Sequence, residues 1–259
     1  MATSTISKVT RDLGTAIVTG GSRGIGAAVA ILAARAGFRV AVNYLQDVHA
    51  ANLVIEKITA GQGCALAIQG DVASEADVLR LFETSESKLG PVRALINNAG
   101  TIGRPTRVES LSADMVARVL AVNVVGTMLC SREAVRRMST RNGGAGGAIV
   151  NVSSIASRLG SANEWVHYAA SKAAVNTFTI GLAGEVATEG IRVNVVSPGF
   201  IDTELHANAG LPGRLQRMSS SVPMQRPGTA EEVAEAVLWL MSPAASYITG
   251  AVLEVGGGR

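Results

Sequence analysis

Aromatic residues are scarce, with phenylalanine, tryptophan and tyrosine making up only 3% of 259 residues. A core poor in rings must be aliphatic, and the 47% of hydrophobic residues fits buried parallel strands rich in Val, Ile and Leu. The same scarcity removes base-stacking platforms. The positive charges are scattered, with only Arg136-Arg137 adjacent in the notable basic stretches, so no nucleic-acid surface is expected. Cysteine is limited to Cys64 and Cys130, both in apolar segments, which points to reduced core thiols of a cytoplasmic protein rather than a disulfide. The histidines His49, His167 and His206 lack ligand spacing, and no metal is expected. No stretch approaches the ~18 apolar residues of a membrane span. The Ser/Thr-rich N-terminus also lacks the apolar run of a secretory signal. The 29 glycines follow no period and sit mainly at turns, which excludes collagen and disorder. A net charge of +3 suits an anionic ligand.

What is present centres on Asn151 to Lys172. The stretch begins as the end of the apolar strand Ala148–Val152 and closes on the start of a helix. Tyr168 and Lys172 are four residues apart and share one helical face. Ser154 lies just past the strand end, where open α/β sheets present side chains to ligands. An ammonium beside a phenol favours the phenolate. Moving a tyrosine from about 10 to about 7 needs roughly 4 kcal/mol, more than one lysine supplies. By itself Tyr-x-x-x-Lys is also what an ordinary amphipathic surface helix carries.

Around that stretch the chain reads as alternating strands and helices. Thr15–Thr19 is a strand and Gly20 to Gly26 a glycine-rich turn, followed by a helix over Ala27–Ala36 and a strand over Phe38–Val42. Such a turn lets backbone approach a pyrophosphate, and the helix N-terminus offers N–H groups and partial positive charge. Its Gly-x-x-x-Gly-x-Gly spacing differs from the common Gly-x-Gly-x-x-Gly fingerprint. Where the second strand ends, Asn43-Tyr44-Leu45 offers no acid for a ribose 2′-hydroxyl before Asp47. With Arg23 in the turn, this favours a 2′-phosphate, hence NADP over NAD.

A helix over Ala50–Ala60, a strand over Cys64–Ile68, a helix over Glu75–Lys88 and a strand over Ala94–Ile96 come next. Asp71, followed by Val72, stands at a strand end, where it can accept from an adenine amino group or cap the Ser74 region. Asn97-Asn98-Ala99-Gly100 forms a turn at the sheet edge. Asn123 interrupts the apolar run Val119–Val125 and is expected to bend that helix. Residues 142–147 form a turn, and the Tyr168 helix continues to about Thr188. Ile191–Val196 is a strand ending at Pro198-Gly199, Ala230–Met241 a helix and Ala251–Val255 the last strand. Residues 1–12 read as a loose arm, and 204–228 as a lid over a substrate. The expected fold is one α/β Rossmann-type domain over residues 1–259. It has a doubly wound sheet of about seven parallel strands and helices on both faces.

Together these residues resemble the short-chain dehydrogenase/reductase family over about residues 12–258. The likeness rests on Thr19-Gly20-x-x-x-Gly24-Ile25-Gly26, Asp71, Asn97-Asn98-Ala99-Gly100, Asn123, Ser154, Tyr168-x-x-x-Lys172, and Pro198-Gly199 with Thr203. The chain looks like 3-oxoacyl-carrier-protein reductases and sugar 1-dehydrogenases of that family. The resemblance implies an NADP-dependent oxidoreductase, with NAD possible, acting on a carbonyl or secondary alcohol of a small or medium substrate. It further implies Tyr168 as general acid/base, Lys172 holding the nicotinamide ribose and lowering the Tyr168 pKa, Ser154 polarising the substrate oxygen, and Asn123 holding a relay water. Gly20, Ser22, Arg23, Gly24, Ile25, Gly26, Asn43, Tyr44, Asp71, Val72, Asn98, Ala99, Gly100, Pro198, Gly199, Ile201 and Thr203 complete the implied cofactor contacts. A homotetramer or dimer is implied too. The interval from Ser154 to Tyr168 is one residue longer than in many members, so the loop Ser161–His167 is expected to differ. Ser153 should face the other way from Ser154. The acid in Ala187-Thr188-Glu189-Gly190 would repel an acidic acyl carrier, which disfavours such substrates. Trp165 and His167 are candidates for the substrate mouth. A dinucleotide-binding regulator without turnover is the rival reading, though a binding module needs no proton donor.

Overall fold

The computed structural model describes residues 12–204, 213–214 and 218–259. Apolar runs of four to eight residues form the strands β1 (Thr15–Val18), β2 (Arg39–Tyr44), β3 (Ala65–Gln69), β4 (Val92–Asn97), β5 (Gly147–Val152), β6 (Ile191–Pro198) and β7 (Val252–Val255). All pair in parallel, in the order β3-β2-β1-β4-β5-β6-β7. The chain builds outward from β1 to β3, then returns to β1 and builds the other way from β4. Between β1 and β4 the winding reverses, and a crevice opens at the carboxyl ends of the strands.

Side-chain alternation splits the core into two layers. Ala16 and Val18 pack with α1 (Gly24–Ala36), α2 (Val48–Ala60) and α8 (Ala230–Met241), whereas Ile17, Leu95 and Ile149 pack on the opposite layer. That second layer comprises α3 (Glu75–Leu89), α5 (Gly126–Met138) and α7 (Val166–Val186), with Phe82 and Met138 fully buried. The short α4 (Ala113–Leu120) runs into α5 through a π-turn at Ala121–Val125, and α6 (Ala156–Leu159) follows β5. Helix starts are marked by side-chain caps: Ser74 on α3, Ser112 on α4, and a Thr229–Glu232 capping box on α8.

The order of the expected elements matches the sequence reading, and several boundaries move by one to three residues. Helix α1 starts three residues before Ala27, because Gly24 and Gly26 are its first turn. The Tyr168 helix ends at Val186, followed by one 3₁₀ turn (Ala187–Glu189). The loop expected over Ser161–His167 stops at Trp165. It turns through positive φ at Ser161 (48°) and Asn163 (65°).

Three other expectations need correction. Cys64 is exposed, because it precedes the edge strand β3, while Cys130 is buried with its thiol pushed up to about 12 by burial. Asp12 belongs to no loose arm: its carboxylate pairs with Arg39 at 2.7 Å. Residues 1–11 of the expected arm, and 205–212 and 215–217 of the expected lid, lie outside the described residues. The unbroken helix Ala113–Met138 is long and apolar enough, by length and composition, to cross a membrane, contrary to the reading of the sequence. In this fold its inner face, including Val122, Cys130 and Met138, lies in the second core layer.

Candidate active site

All the catalytic and cofactor residues named from the sequence except Gly26 and Asn123 line one cavity of about 1180 Å³ along the carboxyl edge of the sheet. The two exceptions sit behind its wall. A Cβ on Gly26 would lie 2.3 Å from the Gly20 carbonyl oxygen and 2.5 Å from Asn98 Nδ2, so only glycine lets the turn close this tightly. Gly20 itself has φ of +59°.

The turn is held by side chains arriving from neighbouring strands. Asn98 Nδ2 donates to the carbonyls of Thr19 (3.0 Å) and Gly20 (2.9 Å). The Thr19 hydroxyl accepts from the backbone N–H groups of Asn98 and Ala99, both at 3.0 Å. Asn43, nearly fully buried, donates to the carbonyls of Ile68 and Gly70 and accepts from the Gly20 N–H. Asn43 and Asn98 therefore shape the wall with their amides already engaged. Thr19, which opens the glycine motif in the sequence but was given no role there, does comparable work. Asn97, by contrast, points away from the cavity into a buried network with Ser131 and Asn151.

Helix α1 has no side-chain N-cap and no acid in its first turn, so its leading N–H groups face the cavity uncapped. Beside it Arg23 reaches Asp47 at 3.4 Å and Glu204 at 3.5 Å, all three largely exposed. Asp47 also caps α2 by accepting from the Ala50 N–H. Asp71 pairs with Arg118 at 2.9 Å and accepts from the Ala73 N–H, while Ser74 itself caps α3.

At the other end of the cavity, α7 presents Tyr168 and Lys172 on one face. Lys172 is 5% exposed, and its Nζ donates to the Val152 carbonyl at 2.7 Å and sits 5.8 Å from the centre of the Tyr168 ring. Burial brings Lys172 down to about 8. Burial also pushes Tyr168 up to about 12, opposed by a hydrogen bond with the Ser154 hydroxyl. In this site Tyr168 is thus raised rather than lowered, because loss of water around the phenol outweighs the hydrogen bond with Ser154. Ser153 turns inward and donates to the Lys172 carbonyl, as alternation required.

Asn123 does not face the cavity. Its Oδ1 accepts from the Thr101 N–H at 2.8 Å, and its Nδ2 donates to the Thr101 carbonyl and to Ser171 Oγ, both at 2.9 Å. It sits in the π-turn Ala121–Val125, the bend expected at this position. Its amide fixes the Gly100–Thr101 wall and touches no open space.

Trp165 lines the mouth of the cavity and donates from Nε1 to the Gly103 carbonyl at 3.2 Å. His167 is buried against the Ile102 carbonyl instead, so it is no part of the mouth. Residues the sequence reading did not nominate complete this end: Glu164, Phe200, Arg214 and Arg259.

The matching family model is described as Enoyl-(Acyl carrier protein) reductase and covers residues 20–259. The chain is 54% identical over 244 residues to "Uncharacterized oxidoreductase YgfF" of Escherichia coli, spanning 94% of this chain and 99% of that protein. It is 38% identical to a 3-oxoacyl-[acyl-carrier-protein] reductase of Synechocystis, spanning 94% and 95%. A short-chain dehydrogenase from Burkholderia cenocepacia, solved in complex with NADP, superposes with a TM-score of 0.87 at 33% identity, covering 96% of this chain and 98% of that one. Sheet order, cavity and these likenesses define an oxidoreductase. The chain belongs to the short-chain dehydrogenase/reductase family.

Desolvation disfavours the charged form, so the Lys172 ammonium is expected below about pH 8 and the free amine above it. An NMR titration of the Lys172 side chain, assigned by loss of its signal in Lys172→Met, should show a midpoint near 8. A midpoint near the ordinary 10.5 would refute this burial effect.

Proposed function

We propose that the protein reduces a carbonyl of a small or medium substrate with NADPH, running also in reverse on secondary alcohols. The observation that carries this reading is the hydrogen-bonded Ser154–Tyr168 pair at the carboxyl edge, one helical turn from a buried lysine. The cavity suits a dinucleotide: an uncapped helix N-terminus favours a pyrophosphate, and Arg23 offers a cation where no acid follows β2 until Asp47. Gly20 to Ile25, Asp71 and Val72, Asn98 to Gly100, and the segment Pro198 to Thr203 would hold the cofactor, with Lys172 on its nicotinamide ribose. When bound, the cofactor supplies the hydride.

The chain's own residues then handle charge and protons. Ser154 donates a hydrogen bond to the carbonyl oxygen as negative charge develops there. With its phenol raised to about 12, Tyr168 holds its proton at neutral pH and is ready to give it to that oxygen. The Lys172 ammonium, present below about pH 8, stabilises the phenolate left behind. Asn123 acts as a positioning residue, holding Thr101 and Ser171 around the pair. These features argue against a binding protein without turnover, which has no use for a proton donor.

A second reading, a 3-oxoacyl thioester reductase, regains weight from one observation. Glu189 is not a free acid: it accepts from Ser139 and pairs with Arg141 at 3.0 Å, so it offers little repulsion to an acyl carrier. The name of the Synechocystis relative points the same way.

The test is NADPH oxidation against a panel of aldehydes, ketones, sugars and acetoacetyl-CoA. Turnover of simple carbonyls supports the first reading, whereas turnover of acetoacetyl-CoA alone supports the second. For the reactive cofactor, kcat/KM for NADPH should exceed that for NADH. Arg23→Met should cut the NADPH value by about tenfold or more, the scale of one hydrogen bond to a charged group, and spare NADH. An NADH advantage in the unaltered protein would overturn the preference.

We also propose a homo-oligomer. Leu120, Val125 and Met128 on α4–α5 and Ile180 on α7 are each more than one-third exposed, too many large apolar side chains on neighbouring helices for a solvated face. Light scattering coupled to size exclusion should give a dimer or tetramer at micromolar concentration. A monomer would reject the proposal.

A further inference from the structure

The substrate end of the cavity holds two arginines, Arg214 and Arg259, that the proposed chemistry does not use. Arg214 pairs with Glu164 through both guanidinium nitrogens, one of the contacts at 2.7 Å, and its side chain is only 13% exposed. It stacks 4.9 Å from the Trp165 ring centre and 5.5 Å from that of Phe200. Arg259 lies over the same Phe200 ring at 4.2 Å. A turn through positive φ at Gly257 (64°) and Gly258 (89°) brings Arg259 back to the cavity. Two guanidinium groups thus share one aromatic ring, and one of them, Arg214, is paired with Glu164.

Arg259 has no ion-pair partner among the described residues, and its Nη1 is buried without a hydrogen bond, as is Nε of Arg214. Residues 205–212 and 215–217 contain no Asp or Glu, so those stretches of sequence supply no missing acid. Burial, and then the neighbouring Arg214, weaken the hold of Arg259 on its proton. Elsewhere along the cavity Arg23 faces Asp47 and Glu204, and Arg118 pairs with Asp71. Arg259 thus brings to the mouth a guanidinium whose Nη1 has no acceptor and which no side-chain carboxylate pairs among the described residues. Two arginines and an aromatic ring around an open space form a receptor for a planar monoanion.

We infer that Arg259, backed by Arg214, binds a carboxylate of the substrate, so the preferred substrates are carbonyl compounds that carry a carboxylate group. This inference rests on the carbonyl-reductase reading above. A carboxylate supplies the acceptor that Arg259 lacks, and the pairing of Arg214 with Glu164 shows that the geometry accepts that group. Glu164 holds Arg214 in place as a positioning residue. The aromatic faces of Trp165 and Phe200 keep both guanidinium planes fixed in advance.

Matched acids and esters test the inference: 4-formylbenzoate against methyl 4-formylbenzoate, and 4-oxopentanoate against its methyl ester, with NADPH. The acid should have the higher kcat/KM by about tenfold or more, the size expected of one hydrogen bond to a charged group. Arg259→Met should collapse the acid-to-ester ratio by a similar factor, mainly through KM, and Arg259→Lys should restore part of it. An ester preferred in the unaltered protein, or a ratio unchanged in Arg259→Met, overturns the inference.

Benzoate binding to the NADP-loaded protein, read by tryptophan fluorescence, gives a readout free of turnover. Saturable quenching that weakens about tenfold in Arg259→Met supports the anion site, and quenching indifferent to that change refutes it. If neutral carbonyls are reduced without an acid preference, the inference alone fails. If no carbonyl of any kind is reduced while benzoate still binds through Arg259, the reductase reading fails and the anion site stands.

Discussion

Seven strands running in one direction place seven carboxyl ends on one edge of the sheet, and the rest of the molecule depends on that constraint. The edge is where β1 releases its glycine turn, β4 its Asn98–Gly100 turn, β5 its Ser154 and β6 its Pro198-Gly199. Residues far apart in sequence meet there without long loops. The reversal between β1 and β4 parts the connections and leaves the space they line. Backbone amides and carbonyls at strand ends are then satisfied by side chains such as Thr19, Asn43 and Asn98, which make the wall stiff.

On that wall, two ionisable groups are moved in opposite directions by the same cause. Burial favours the neutral form of each, raising the phenol of Tyr168 and lowering the ammonium of Lys172. The usual order, with lysine slightly above tyrosine, is thereby reversed, in the sense opposite to a preformed phenolate. We read the pair as set for delivering a proton from tyrosine, with the lysine charge available to the anion formed. Pairs of titratable groups pushed apart by their environment commonly divide acid and base roles in this way.

Local patterns carried much of this arrangement. Apolar runs of strand length, the glycine turn and the four-residue spacing of Tyr168 and Lys172 are written in neighbouring residues, and alternation separated Ser154 from Ser153. What stayed hidden depends on contacts between distant segments. Nothing near Arg259 in sequence signals that it shares a phenylalanine with Arg214, or that Glu164 pairs with Arg214. Glu189 reads as a free acid until the fold brings Arg141 to it. Asn123 was legible as a helix bend, yet the partners of its amide, Thr101 and Ser171, required the folded chain. Cys64 looked like core because its neighbours are apolar, but β3 is an edge strand.

The central claim is that the hydroxyl of Tyr168 is the group that exchanges a proton with the substrate, and it is best tested in Tyr168→Phe. Removing one oxygen from a buried ring should leave NADPH affinity within about threefold while kcat/KM for carbonyl reduction falls by about 10²–10⁴, the range for a lost general acid. Retention of substantial turnover by that variant with the fold intact would contradict the account.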